Sequence, residues 1–345
     1  MVSLIFDSIG FLVILGIALF FLAAVFSPFE TLGWWAGWSK KSLDDELSVS
    51  SSPAHDAGGN LPGFPADKSS APPEHYLVYL RGIATANAEL GRREQGFVDL
   101  LKSSIPAAAV ISDIFPYSAN NNPLTGERAF ARLYQRLLSA RLRSRNSWFA
   151  ILFIVRNLMQ VAVSGDPRYG PIYNSGIARE ISLQLMRQNY PSGTNQPIWV
   201  IGWSGGGQIA IGTARYLHHL FQAPVYVISI GGVMLDDPGI AVIKHLYHLE
   251  GSKDSFPRLG DILSPGRWPF VRHSAWNKAI QENRITIIDP GPMRHTGKDD
   301  YFDFKAKLPN GQNHTERTAQ LVAEIVTNEQ NGTVKVSKTI PKNAD

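Results

Sequence analysis

Ile198-Trp199-Val200-Ile201-Gly202-Trp203-Ser204-Gly205-Gly206-Gly207-Gln208 is the stretch on which the fold turns. An apolar run rich in β-branched residues ends in Gly-x-Ser-x-Gly, and a helical pattern over Gln208–Phe221 follows at once. That is the strand–turn–helix context of a nucleophile elbow. Gly202 and Gly206 suit such a turn because side chains there would collide across it. Ser204 is lifted clear of the sheet edge, and the Gly205 amide, at the start of the helix, faces any oxyanion formed beside it. The bland alternative is a glycine-rich strand-to-helix turn with a bystander serine.

Outward from that stretch, short apolar runs alternate with helical patterns, which argues for a mostly parallel sheet with helices on both faces. Strands are predicted at His75–Leu80, Ala107–Phe115, Ile198–Trp203, Pro224–Ile230, Lys244–Leu249 and Arg284–Ile288. Helices are predicted at Gln95–Ser103 and Asn174–Asn189, and a closing helix at Asn313–Thr327 has Asn313 and Glu316 in capping-box positions. Residues 120–170 interrupt the alternation. Arg132, Arg136, Arg141, Arg143 and Arg145 precede the apolar Trp148–Val155. That pattern fits a helix lying on an anionic membrane, or a helical cap packed over the site, or both.

The chain has 345 residues, 44% hydrophobic and 18% charged, with a net charge of +4. This composition is globular, and the mild basicity gives no reason to expect a nucleic-acid partner. With no cysteine, disulfides, thiolate catalysis and Cys-ligated zinc are excluded. Ser8–Phe29 carries no charge, is long enough to cross a ~30 Å hydrocarbon core, and is followed by Trp34, Trp35 and Trp38. The n-region lacks Lys and Arg, so an uncleaved anchor is preferred to a signal peptide. Lys40 and Lys41 compete with Asp44, Asp45 and Glu46, which leaves the orientation open. The expected organisation is an anchor and interfacial segment (1–39), a Ser/Pro/Gly-rich tether (40–74), a catalytic domain (75–327) with its cap (120–170), and a disordered tail (328–345). The bilayer, through residues 8–29, is the expected partner.

A serine hydroxyl needs a base, and the base needs orienting. Between Tyr76 and Thr327 the chain resembles the α/β-hydrolases, whose triad runs Ser, then Asp or Glu, then His at successive strand ends. The resemblance implies a reduced α/β-hydrolase fold of about six strands, because that family's first two strands have no counterpart here. It further implies Ser204 as nucleophile and His295, in the Gly/Pro loop Asp289–Gly297, as base. Asp254, after the Lys244–Leu249 strand, is the preferred acid. Asp236 and Asp237 are the alternatives, with Glu250 and Asp261 behind them. His314 is the rival base. The oxyanion hole would combine the amides of Gly205 and Ile83, in the loop Arg81-Gly82-Ile83-Ala84. Arg81 stands where the family commonly has His, and would serve substrate recognition or a surface ion pair. Trp203 would form an apolar wall or pack beneath the elbow.

His218 and His219 ride on the helix after the elbow, and His245 and His248 sit within a strand. No spacing makes a credible metal site, and Gly205-Gly206-Gly207 lacks the Lys-Ser/Thr of a phosphate-binding loop. No cofactor is expected. The implied activity is cleavage of an acyl ester of a lipid or other apolar acid. A thioesterase or acyltransferase would use the same residues, and a non-catalytic scaffold would keep only the fold.

Overall fold

The computed structural model describes residues 73–85, 89–117 and 149–330. The expected anchor, tether and arginine-rich part of the cap lie outside these residues. Among the described residues no helix is long and apolar enough to cross a membrane.

Six strands form one all-parallel sheet in the order β2-β1-β3-β4-β5-β6. They are β1 (His75–Leu80), β2 (Ala108–Ile111), β3 (Ile198–Trp203), β4 (Val225–Ile230), β5 (His245–Leu249) and β6 (Ile285–Ile288). The helices are α1 (Arg92–Ser104), α2 (Phe149–Gly165), α3 (Gly170–Arg187), α4 (Gly205–Phe221), α5 (Leu259–Leu263), α6 (Ala275–Gln281) and α7 (His314–Gln330). The α/β architecture expected from the sequence is the one observed.

Both sheet faces are buried, as parallel strands require. Along β1, Tyr76, Val78 and Leu80 join one core with Tyr173, Ile177 and Ile181 of α3 and Ile209 and Ile211 of α4. Leu77 and Tyr79 join the other with Phe97 and Leu101 of α1 and Val322 and Ile325 of α7. The period of two sends alternate residues of one strand into different cores.

The chain leaves β1 for β2 on one side and later returns to β3 on the other. At such a reversal, at the carboxyl edge between the loops after β1 and β3, open α/β sheets commonly bind ligands. Those loops carry Ile83 and Ser204.

Several predicted boundaries need correction. The run Ala107–Phe115 is a strand only over Ala108–Ile111. Ile114 and Phe115 are buried without being paired, so their apolarity reports core packing rather than a strand. The helices predicted at Gln95–Ser103 and Asn174–Asn189 occupy Arg92–Ser104 and Gly170–Arg187. The helix after the elbow begins directly at Gly205 rather than Gln208. α7 is capped reciprocally, Asn313 accepting from the Glu316 amide (2.9 Å) and Glu316 from the Asn313 amide (2.9 Å). It runs three residues past Thr327, to Gln330, where a disordered tail was expected; the Tyr247 hydroxyl, donating to Glu329 (2.5 Å), holds this added turn.

Candidate active site

Ser204 sits between β3 and α4 with φ 52° and ψ −123°, a strained backbone for a residue with a side chain. Tight packing over-determines that conformation. A Cβ at Gly202 would overlap the Gly206 backbone, and one at Gly206 would overlap the carbonyls of Leu80 and Arg81. The turn therefore requires both glycines.

The Ser204 hydroxyl lies 2.8 Å from His295 Nε2, and His295 Nδ1 lies 2.9 Å from Asp254 Oδ2. All three residues are at least nine-tenths buried. They come from the loops after β3, β6 and β5 and are separated by 91 and 41 positions in the chain. An ionised carboxylate only accepts hydrogen bonds, so the imidazole proton sits on Nδ1 and Nε2 is left to accept from Ser204. This is the geometry of a nucleophile, an oriented base and its orienter.

Asp254 is held from three directions. Its Oδ1 accepts from the Phe256 amide (2.9 Å), and its Oδ2 accepts from His295 and from the Tyr301 hydroxyl (2.9 Å). Tyr301 in turn accepts from the Gly251 amide (2.8 Å), and Thr318 of α7 donates to the Tyr301 carbonyl (2.9 Å). Burial, reinforced by the Asp254 charge, holds the Tyr301 phenol far above its ordinary pKa, so it remains a donor. The Phe256 ring stacks on His295 with centroids 4.2 Å apart and planes 14° apart. Neither Tyr301 nor Phe256 stood out in the sequence. The only local signal was Phe256, two residues after the preferred acid.

The other candidates are engaged elsewhere. Asp236 accepts from the Trp276 amide (2.9 Å), and Asp237 accepts from Gln208 (2.9 Å) and the Gly239 amide (2.7 Å). Burial raises Asp237 to about 6, against the pull of those bonds. Glu250 pairs with His248 (2.9 Å) and Asp261 with Arg267 (2.8 Å). His314 Nδ1 faces the carbonyls of Asp299 (3.2 Å) and Asp300 (3.1 Å). His245 lies 2.8 Å from the Thr286 hydroxyl, and His218 faces the Ala223 carbonyl (2.8 Å).

At the two residues expected to bind an oxyanion, α4 begins at Gly205, so that amide belongs to the helix N-terminal set with no intrahelical partner. Ile83 is adjacent, since a Cβ at Gly205 would lie 2.6 Å from Ile83 Cγ2 and 2.7 Å from Val161 Cγ2 of α2. Asn157 of α2, fully buried, donates to the carbonyls of Ile83 (2.7 Å) and Thr85 (2.7 Å) and fixes this loop. The residues flanking Ile83 differ from the expectation. Arg81 is buried and pairs with Glu94 of α1 (2.5 Å), so it is neither a substrate contact nor a surface ion pair. Tyr79 also donates to Glu94 (3.0 Å). Trp203 is half-buried beside the elbow. Its ring lies against Gly82, where a Cβ would come within 2.8 Å, and meets Phe302 edge-on (5.1 Å).

No protein-family model matches this chain, and comparison with curated proteins finds no significant relative.

Proposed function

We propose that this protein is a serine hydrolase of the α/β-hydrolase type, anchored to a membrane, that cleaves esters of apolar acyl groups. The observation that carries the reading is the continuous Ser204–His295–Asp254 relay at one sheet edge. Ser204 Oγ attacks the acyl carbonyl while its proton passes to His295 Nε2. The amides of Gly205 and Ile83 bind the oxyanion. As the tetrahedral intermediate collapses, the carbon–oxygen bond to the alcohol breaks and His295 returns the proton to the leaving oxygen. Water, deprotonated by the same nitrogen, then attacks the acyl-enzyme and regenerates the Ser204 hydroxyl. Asp254 stays ionised throughout and stabilises the imidazolium.

Apolar substrates are supported by the surroundings. Ile83 and Val161 pack against the Gly205 Cα, and Phe256 covers the base. The uncharged Ser8–Phe29 segment would hold the enzyme where such esters occur.

The test is labelling of the full chain by a fluorophosphonate. Labelling that disappears in Ser204→Ala supports the reading, and labelling indifferent to that change overturns it in favour of a non-catalytic hydrolase-fold protein. A series of p-nitrophenyl esters then checks the substrate class, where equal rates from short to long acyl chains would remove the apolar preference. Parallel thioester and acyl-acceptor assays separate hydrolysis of oxygen esters from thioesterase and acyltransferase activity.

A further inference from the structure

Residues 255–274, between the acid and α6, form a lobe beside the site. The inner side of this lobe is polar and tightly bonded. Arg267 is buried, donates to the Met234 carbonyl (2.8 Å), pairs with Asp261 and lies 3.8 Å over the Trp276 ring. Asn277 donates to the carbonyls of Gly266 (3.1 Å), Trp268 (2.8 Å) and Val271 (2.9 Å). Gly260 is the inward position of α5, pressed between the Met234 carbonyl and the Arg267 guanidinium with no room for a side chain.

The large apolar residues are consequently turned outward. Leu259, Ile262 and Leu263 fall at i, i+3 and i+4, a stripe that a globular helix normally buries. Here Ile262 is 69% and Leu263 64% exposed, and Phe270 beyond them is 74% exposed. Trp268 packs against Phe270 with centroids 5.4 Å apart and is also exposed, as is Phe256 where it covers His295. Clustered exposure of this kind marks an interaction surface, unlike a scattered exposed leucine.

Charge identifies the partner. Lys253, Arg258 and Arg272 are exposed around this patch, while the exposed Asp261 is already neutralised by Arg267. An apolar centre bordered by cations matches the boundary between acyl chains and anionic headgroups. We infer that the 255–274 lobe is a second membrane contact, seated on an anionic bilayer. The seat rests on the surface chemistry alone. Only its consequence, that Ser204 opens towards lipid, rests on the hydrolase reading.

The absence of cysteine makes the test direct. Phe270→Cys and Ile262→Cys each provide one attachment point on the lobe. Leu220→Cys, 58% exposed near the far end of α4, provides the control. The full chain, carrying an environment-sensitive fluorophore at one of these, is reconstituted into phosphatidylcholine–phosphatidylglycerol vesicles with or without brominated acyl chains. Expected is several-fold stronger bromolipid quenching at 262 and 270 than at 220, reduced by the pair Arg258→Glu and Arg272→Glu and retained in Ser204→Ala. Because quenching needs no turnover, a failed fluorophosphonate experiment leaves this result standing. Equal quenching at all three sites overturns the inference. So does a lobe label that is dry yet unquenched, which would assign the cover to a second copy or to residues 118–148.

Discussion

The loops after β4 and β5 offer the same kind of residue at the same sheet edge. Each carries a buried aspartate, Asp237 at 5% exposure and Asp254 at 7%. Their partners differ. Asp237 is held by a neutral amide from Gln208 and a backbone amide within its own turn, and burial pushes it up to about 6. Asp254 faces an imidazole that can become charged, with a phenol and a backbone amide fixing its remaining lone pairs. Burial and position therefore do not distinguish the two aspartates. In the proposed reaction the difference lies in the partner, since only the one facing Asp254 would gain charge.

Exchanging each acid for its amide breaks the comparison most forcefully. Asp254→Asn is expected to lower kcat by about 10⁴-fold, as in other triads where the base loses its tautomer. Asp237→Asn or Asp236→Asn should change kcat little. A p-nitrophenyl ester assay ranks the three, and the opposite order would reassign the acid.

A pH series of unfolding titrations sharpens the contrast next. Asp237 has a folded pKa raised above the ordinary 3.8. Its protonated form therefore stabilises the fold fully below pH 3.8, and that contribution is lost as pH rises through about 6. The loss amounts to about 3 kcal/mol. The same series on Asp237→Asn should lack this component.

Changes to the partners have smaller effects. Gln208→Ala leaves Asp237 short of a donor and the Leu235 amide short of its acceptor (2.8 Å). It should cost about 1–3 kcal/mol of stability with kcat nearly unchanged, measured by urea midpoint and assay together. Tyr301→Phe removes one donor from Asp254 while keeping the ring. About a tenfold loss of kcat is expected, the size of one hydrogen bond to a charged group, with KM unchanged. A loss of stability with no loss of kcat would make Tyr301 a packing residue only.

The elbow was legible because its constraint is local. Gly202, Ser204, Gly205 and Gly206 lie within five positions, and the collision that forbids a side chain at Gly202 is with the Gly206 backbone itself, whereas the one at Gly206 is with the distant carbonyls of Leu80 and Arg81. The capping box of α7 was legible for the same reason, with partners three positions apart. The strand after α1 was overextended because Ile114 and Phe115 are as apolar as paired residues, and apolarity records burial rather than pairing. Arg81 was misplaced because its partner, Glu94, lies in the next helix, and nothing in the local sequence says that the two are buried together.

By itself the sequence determined the alternation of strands and helices, the strained serine turn, and the loops in which an acid and a base had to be sought. Each of these follows from residues within one or two turns of each other, where backbone sterics and hydrophobic period act directly. Only the tertiary structure set Asp254 rather than Asp237 against His295, placed Tyr301 and Phe256 beside that pair, and turned Ile262, Leu263 and Phe270 outward. Those outcomes depend on which strands become neighbours and which side of a short helix is left without room, and contacts across tens of residues leave no periodicity in the chain.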